Sequence, residues 1–145
     1  MIYLKTAEEI ELMQDAATLV SRTLGEIAKW VAPGVTTLRL DTVAREFIQD
    51  NGGKPACLGY GGFPATVCME VNETVVHGFP GNYTLRDGDI IGTDTVVELN
   101  GFCGDMCYTF PVGDVDPAVM QLLRDTKESL AVGIAAAREG ARVGD

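Results

Sequence analysis

The 145-residue sequence is poor in basic residues, in histidine and in long apolar runs. It has 11 lysine and arginine residues against 21 aspartate and glutamate residues, which gives a formal charge of −10 at neutral pH. A chain of this charge repels phosphate backbones, so we expect no direct nucleic-acid partner and favour a cationic ligand. No apolar run approaches the ~20 residues that a membrane-spanning helix needs, so no membrane partner is expected.

Secretion signals and zinc-finger cysteine pairs are also missing. The first residues, MIYLKTAEEIELM, are too acidic and too interrupted for a signal peptide, so we predict a cytoplasmic protein. The four cysteines are Cys57, Cys68, Cys103 and Cys107, and their spacings match no zinc-finger pair. In the cytoplasm we expect these thiols to stay reduced.

Periodicity predicts three helices in a single domain that covers residues 1–145. Apolar residues at three- and four-residue steps predict a helix from about residue 7 to about residue 31, which begins at a Thr6–Glu9 capping box. A second helix begins at a Thr37 cap and ends at Asn51. A third begins with Asp116 as its N-cap and Pro117 at its first position, and it runs to about residue 139.

The middle of the sequence predicts strands. Residues 54–64 read as a glycine-rich loop, and strands are predicted at 65–71, 74–76, 90–99 and 102–112. The last two are joined by Asn100-Gly101, a dipeptide that favours a two-residue hairpin turn. Strands clustered between helices indicate an α+β fold, an antiparallel sheet flanked by helices.

Two aspartates lie in this predicted hairpin. A two-residue turn pairs residue 99 with residue 102, so Asp94 faces Cys107 and Asp105 faces Val96. Asp94 and Asp105 then share one face as diagonal neighbours, roughly 7 Å apart, within reach of one cation. Oxygen donors of this kind suit divalent cations, although both aspartates could instead face solvent on an open sheet.

Other polar side chains near this hairpin have two interpretations each. His77, the only histidine, could carry a proton or bond to a substrate, or it could be a structural residue at a strand end. Cys103 and Cys107 flank Asp105 and could join a metal site, but we favour core packing for both. The opposite face of the hairpin is predicted to be core, and it carries Val97, Leu99, Phe102, Met106, Tyr108 and Phe110.

Taken together, these segments resemble one family, the type I (bacterial-type) methionine aminopeptidases. The matching stretches are CLGYGGFP at 57–64, VCMEVNETVVHGFP at 67–80, LRDGDI at 85–90, the Asp94 strand, and GFCGD at 101–105 with Thr109-Phe110. The resemblance covers essentially the whole chain, and the segment VNETVVHGFP is the most specific part of it.

The resemblance implies the pita-bread fold, in which two pseudo-symmetric α+β halves surround a dinuclear metal site. It implies metal-dependent removal of the initiator methionine from nascent proteins, with cobalt, manganese, iron or zinc as the metal. Asp94 would be a metal ligand, Asp105 would bridge both metals, and His77 would hydrogen-bond the substrate and stabilise the transition state. The pocket for the methionine side chain would be lined by Cys57, Tyr60, Phe63 and Cys68, since sulfur and aromatic groups suit a thioether.

The resemblance also implies that this chain corresponds to the N-terminal half of the fold. The family's remaining ligands, one histidine and two glutamates, would follow Asp145, and so would a second substrate-binding histidine. We therefore expect the 145 residues to bind metal weakly and to be inactive alone. The alternative is a non-catalytic half-domain that self-associates through an exposed sheet edge or acts as an interaction module. A pita-bread relative that binds without cleaving is less favoured, because both aspartates are present.

Overall fold

The structure of the protein is a computed structural model, which describes residues 2–144. The described residues form three α-helices and four strands, which gives the predicted α+β architecture, although one two-residue strand lies in the segment 54–64 that was predicted as a loop. The helices are α1 (Ala7–Ala28), α2 (Thr37–Asp50) and α3 (Pro117–Ala136), and the strands are β1 (Lys54–Pro55), β2 (Cys68–Val71), β3 (Ile90–Leu99) and β4 (Phe102–Pro111). Within the described residues no helix is long and apolar enough to cross a membrane.

The sheet is antiparallel throughout and is built around β3. Strand β4 pairs with one edge of β3, while β1 and β2 pair with the other. Asn100 and Gly101 both have positive φ, 53° and 81°, as a two-residue hairpin turn requires. Leu99 pairs with Phe102, so the predicted register is confirmed.

The helix caps follow the sequence with one displacement. The Thr6 hydroxyl accepts from the Glu9 amide at 3.2 Å, and the Glu9 carboxylate accepts from the Thr6 amide at 2.8 Å, which confirms the capping box. The predicted Thr37 cap of α2 is wrong by one residue. Thr36 accepts from the Arg39 amide at 3.2 Å, whereas the Thr37 hydroxyl donates to a carbonyl outside the helix. Two consecutive threonines are equally good caps, so only tertiary contacts decide between them.

Two helices are shorter than predicted. The amides of Lys29 and Trp30 bond to carbonyls only three residues back, at 3.1 and 2.9 Å, which tightens and ends α1 after Ala28 rather than near residue 31. Helix α3 ends three residues short of the predicted 139, because Ala137 leaves the helical region with ψ of 81°. Its predicted start is confirmed, since the Asp116 carboxylate accepts from the Ala118 amide at 2.7 Å.

The strand predicted at 65–71 is regular only from Cys68 onward. The amides of Thr66 and Val67 do not pair with a neighbouring strand. Both donate to the buried carboxylate of Asp41 on α2, at 2.7 and 2.9 Å. Arg45 pairs with the other oxygen of Asp41 at 3.0 Å, so the segment before β2 is fastened to a helix.

The strand predicted at 74–76 is wrong. The chain turns at Asn72, which has φ of 53° and accepts from the Ile90 amide at 3.0 Å. It then folds back so that the Gly78 carbonyl accepts from the Met69 amide at 2.9 Å. Val75 is 85% exposed, because no strand lies beside it to form a ladder. An apolar pair in a short segment is therefore insufficient evidence for a strand.

The core lies between the helices and one face of the sheet. Fully buried side chains come from α1, α2, β3 and the segment before β2, and include Ile27, Leu40, Ile48, Val67, Ile91 and Val97. Val97, Leu99, Met106 and Phe110 lie in or against this core, as predicted, and Phe102 is partly buried. Tyr108 is a correction, since it lies on the edge strand β4, packs on the Phe110 ring at 4.7 Å and is 46% exposed.

Candidate active site

The carboxylates of Asp94 and Asp105 are presented by the long hairpin on the sheet face opposite the core. Asp94 pairs with Cys107 and Asp105 pairs with Val96, which is the predicted register. Asp94 is partly buried and Asp105 is exposed. Burial, followed by the nearby charge of Asp105, raises the pKa of Asp94, while His77 lowers it. Two neighbouring carboxylates therefore repel one another, and a bound cation would relieve this repulsion.

The donor set is chemically suited to a divalent cation but is small. Aspartate oxygens are ligands for manganese, iron, cobalt and zinc. Within the residues that the structure describes, no three histidine, cysteine, aspartate or glutamate side chains converge into a group that could hold a metal ion. Metal sites in proteins ordinarily take at least three or four ligands, so two carboxylates alone are fewer than such a site needs.

Cys103 and Cys107 do not pack in the core, so the favoured interpretation of both was wrong. Both are exposed, because they share the face of Asp105, which no helix of the described chain covers. Although Cys107 as a residue is exposed, its thiol is partly desolvated by the sheet around it, and this, followed by the charges of Asp94, Glu70 and Asp105, raises its pKa. Cys107 is consequently a protonated thiol beside the carboxylate pair at neutral pH.

A pocket of about 440 Å³ lies beside Asp94. It is lined by Cys57, Tyr60, Gly61, Gly62, Phe63, Cys68, His77 and Phe79. All five residues assigned to substrate by the resemblance therefore meet in one cavity. The loop before β2 shapes one wall with a 3₁₀ turn, where the Gly59 amide bonds to the Phe63 carbonyl at 2.8 Å. Gly61, inside this turn, has positive φ of 55°.

The pocket walls are aromatic and sulfur-containing. Phe63 and Phe79 meet edge to face, with ring centroids 5.4 Å apart and planes at 68°. Burial raises the pKa of Cys57, with further contributions from Asp94 and Asp105. Burial, with Cys57, Glu70, Asp94 and Cys107 adding to it, raises the pKa of Cys68 to about 12. Both thiols are neutral at physiological pH, so the wall is suited to an uncharged, polarisable side chain.

His77 lies between the pocket and the carboxylate pair. It lines the pocket and also stabilises the ionised form of Asp94. Its φ is +56°, an uncommon backbone conformation for a residue with a side chain. The single histidine is thus placed where it can donate to a group held over Asp94.

Two residues of this region were missed by the sequence reasoning. Phe79 lines the pocket two positions after His77. Glu70 lies on β2 opposite Gly92, on the same face as Cys68, and is only 8% exposed. A glutamate is uncommon in a short apolar strand, and that signal was available in the sequence.

A carboxylate pair beside a pocket with aromatic and sulfur-containing walls is compatible with a metal-dependent hydrolase. Comparison with known proteins narrows this class. The model of metallopeptidase family M24 matches residues 11–145, and the chain belongs to that family. The fold is that of one half of the family's pita-bread architecture, as the sequence predicted.

Several of the similar proteins are methionine aminopeptidases. The chain is 46% identical to the methionine aminopeptidase of Clostridium perfringens, over 92% of this chain and 54% of that protein. It is 42% identical to methionine aminopeptidase 1 of Bacillus subtilis, over 99% of this chain and 58% of that protein. The crystal structure of methionine aminopeptidase from Rickettsia prowazekii superposes with a TM-score of 0.91 at 36% identity, covering 92% of this chain and 54% of the other. The chain therefore spans about half the length of these relatives.

Proposed function

We propose that these residues form the N-terminal half of a methionine aminopeptidase, a metallo-exopeptidase that removes the initiator methionine from nascent proteins. The observation that carries this proposal is that the pocket wall and the carboxylate pair meet on neighbouring strands of the sheet. Cys68 in the pocket wall pairs directly with Asp94 of the carboxylate pair. A side chain seated in the pocket would thus place its own backbone beside the carboxylates, as cleavage of the first peptide bond requires.

Within this proposal Asp94 and Asp105 would hold the metal, with Asp105 bridging two ions. The chemistry that divalent ions supply in such sites is Lewis-acid polarisation of a carbonyl group. Cobalt, manganese, iron and zinc all accept carboxylate oxygen, so this donor pair does not select one of them. The repulsion between the two aspartates, described above, is the feature of this chain that favours such ions.

The remaining roles belong to the pocket. Cys57, Cys68, Tyr60 and Phe63 would surround the methionine thioether, and their uncharged walls would exclude water from it. His77 would donate a hydrogen bond to the substrate near the scissile bond, and it would stabilise the transition state there. All four cysteines are free thiols in the structure, which suits the cytoplasm, where we place the protein.

The chain by itself is proposed to be inactive. Two aspartates leave most coordination positions of two metals unfilled. We therefore expect the chain to bind metal with a dissociation constant in the millimolar range or weaker. The test is cleavage of a Met-Ala-Ser peptide with added manganese or cobalt, with Asp105→Asn as the control, alongside calorimetry of metal binding. Turnover that Asp105→Asn abolishes, or micromolar binding of two ions, would show that the half-site is complete enough to act alone. Neither effect is expected.

A second candidate function, self-association, is favoured by the surface of α3 and by one sheet edge. Helix α3 has no buried residue, and Leu130, Val132 and Ile134 are each at least 64% exposed. Strand β4 pairs only with β3 among the described strands, so its outer edge offers unpaired backbone groups. Light scattering should then give twice the monomer mass at high concentration. A mass of one chain under those conditions would exclude this candidate.

A further inference from the structure

Glu70 on β2 carries a buried carboxylate that the proposed chemistry does not use. Its Oε2 has no hydrogen-bond partner. The carboxylate lies over Gly92 of β3, where a Cβ atom would stand only 3.1 Å from Oε2 and 3.2 Å from the Glu70 Cβ. The missing side chain at position 92 therefore makes the room that Glu70 occupies. A buried polar atom without a partner destabilises the fold, so the presence of this carboxylate calls for an explanation.

The other oxygen of Glu70 is directed at the backbone of the histidine segment. Oε1 accepts from the Gly78 amide at 3.4 Å. Burial raises the pKa of Glu70, and the charge of Asp94 adds to this, while the amides of Gly78 and His77 lower it. The ionised carboxylate is thus stabilised by backbone amides of the histidine segment, above all that of Gly78.

The conformation of His77 needs such support. A residue with a side chain and φ of +56° is strained, and such strain persists only where neighbouring contacts enforce it. Gly78 is held from a second side, because its carbonyl accepts from the Met69 amide at 2.9 Å. A Cβ at position 78 would overlap the Met69 carbonyl, so the segment lies directly on β2.

We propose that Glu70 is a positioning residue for His77, and that its carboxylate holds the Gly78 amide so that the preceding imidazole stays at the pocket wall. Two consecutive residues of β2 then hold Gly78. The Met69 amide donates to the Gly78 carbonyl, and the Glu70 carboxylate accepts from the Gly78 amide. The importance of this arrangement for catalysis rests on the proposed function, in which His77 contacts the substrate. The backbone arrangement itself can be tested without any catalytic assay.

The test compares two variants of Glu70 by NMR amide exchange. Glu70→Met fills a similar volume but has no acceptor, while Glu70→Gln keeps an acceptor oxygen. We expect Glu70→Met to accelerate exchange at His77 and Gly78 by about tenfold or more, because local opening is controlled by local contacts. Exchange at Ile91 and Val97 in the core should stay unchanged. Glu70→Gln should restore most of the protection at positions 77 and 78.

A matched control and a second signal complete the experiment. Glu73→Gln alters an exposed carboxyl three residues away, and it should leave exchange at positions 77 and 78 as in the parent chain. Because His77 is the only histidine, its imidazole gives one set of ring signals, which should shift and sharpen in Glu70→Met alone. A purely space-filling role predicts no such difference between Met and Gln.

Three results would overturn the proposal. The first is unchanged exchange and ring signals in Glu70→Met, and the second is a Glu70→Gln variant as loose as Glu70→Met. The third needs no variant and applies even if neither variant folds: a Gly78 amide in the parent chain that exchanges as fast as an unstructured amide. Turnover of the Met-Ala-Ser peptide by the chain alone would contradict the inactivity stated under the proposed function, and it would leave these exchange results standing.

Discussion

Cys68 and Asp94 stand directly opposite one another on β2 and β3, and Cys107 flanks Asp94 on β4. This row of three residues joins the pocket wall to the carboxylate pair within one rigid sheet. The negative charge of Asp94 contributes to raising the pKa of both thiols, after burial. Burial, with the charge of Asp94 adding to it, keeps both thiols protonated, so that a neutral pocket wall at Cys68 lies beside the carboxylate pair.

The first prediction concerns the reactivity of Cys68. A pKa of about 12 means that very little of Cys68 is thiolate at pH 8. A more basic thiolate is also a better nucleophile, but on a logarithmic scale this gain makes up for only about half of the rate that is lost. Iodoacetamide should therefore modify Cys68 at least about thirtyfold more slowly than it modifies an ordinary cysteine. Peptide mass spectrometry over time measures the rate at each cysteine.

Cys103 is the internal control for this measurement, because it is exposed on the same sheet. It should be modified first, and Asp94→Asn should accelerate Cys68 by removing one of the charges that raise its pKa. Equal rates at Cys68 and Cys103 would show that the Cys68 thiol is neither buried nor electrostatically suppressed.

The hairpin could be predicted from the sequence because its information is local. Asn100 and Gly101 tolerate positive φ, and a two-residue turn leaves one register for all ten pairs. The shared face of Asp94 and Asp105 follows from that register alone. The capping box at Thr6 and the Asp116 cap are local in the same sense, and both are observed.

The errors lie where tertiary contacts decide. Val75 sits in a segment with strand-like composition, but no neighbouring strand is available to pair with it. Tyr108 and Cys107 were expected in the core, yet one lies at an edge and the other on a face that the described helices do not cover. The positioning role proposed for Glu70 depends on the space above Gly92. That space is formed only when β2 and β3 pair, so local sequence does not indicate it.

The second prediction concerns the approach of α1 to the sheet at Gly104. A Cβ atom at this position would lie 2.6 Å from the Ala17 amide nitrogen, and backbone atoms cannot rotate away. Gly104→Ala should therefore destabilise the fold by about 1–3 kcal/mol, as overpacking does elsewhere. Urea unfolding followed by circular dichroism measures this change in the free energy of unfolding.

Gly133→Ala provides the opposite control, because Gly133 lies within α3 and a Cβ there meets nothing within 4 Å. Alanine should stabilise that helix by about 0.5–1 kcal/mol, since glycine in a helix loses more backbone entropy on folding. If the two substitutions had the same effect, close packing of α1 on β4 would not be the reason that residue 104 is glycine.

The third prediction concerns the pH dependence of stability that arises from Asp89, whose carboxylate holds the loop before β3. Burial opposes ionisation of this carboxyl, but bonds from the Asn72 amide group, the Arg86 backbone amide and the Tyr83 hydroxyl, all at 2.9 Å, outweigh it and lower its pKa. Because the folded-state pKa lies below the ordinary 3.8, ionised Asp89 stabilises the fold above about pH 4. That contribution is lost as the pH falls through the folded-state value.

Asp89→Ala should therefore cost about 2–3 kcal/mol at pH 7, the range for hydrogen bonds to a charged group. The difference from the parent chain should shrink as the pH falls below about 4, because the unfolded chain then binds the proton before the folded one does. Urea midpoints at several pH values measure this difference, and Asp114→Asn, at an exposed carboxyl, should show no such trend. A difference that stays constant from pH 7 to pH 3 would mean that Asp89 acts through its shape rather than its charge. The Asn72 side chain donates to the same carboxylate and accepts from the Ile90 amide. Asp89→Ala should therefore also loosen the turn at Asn72.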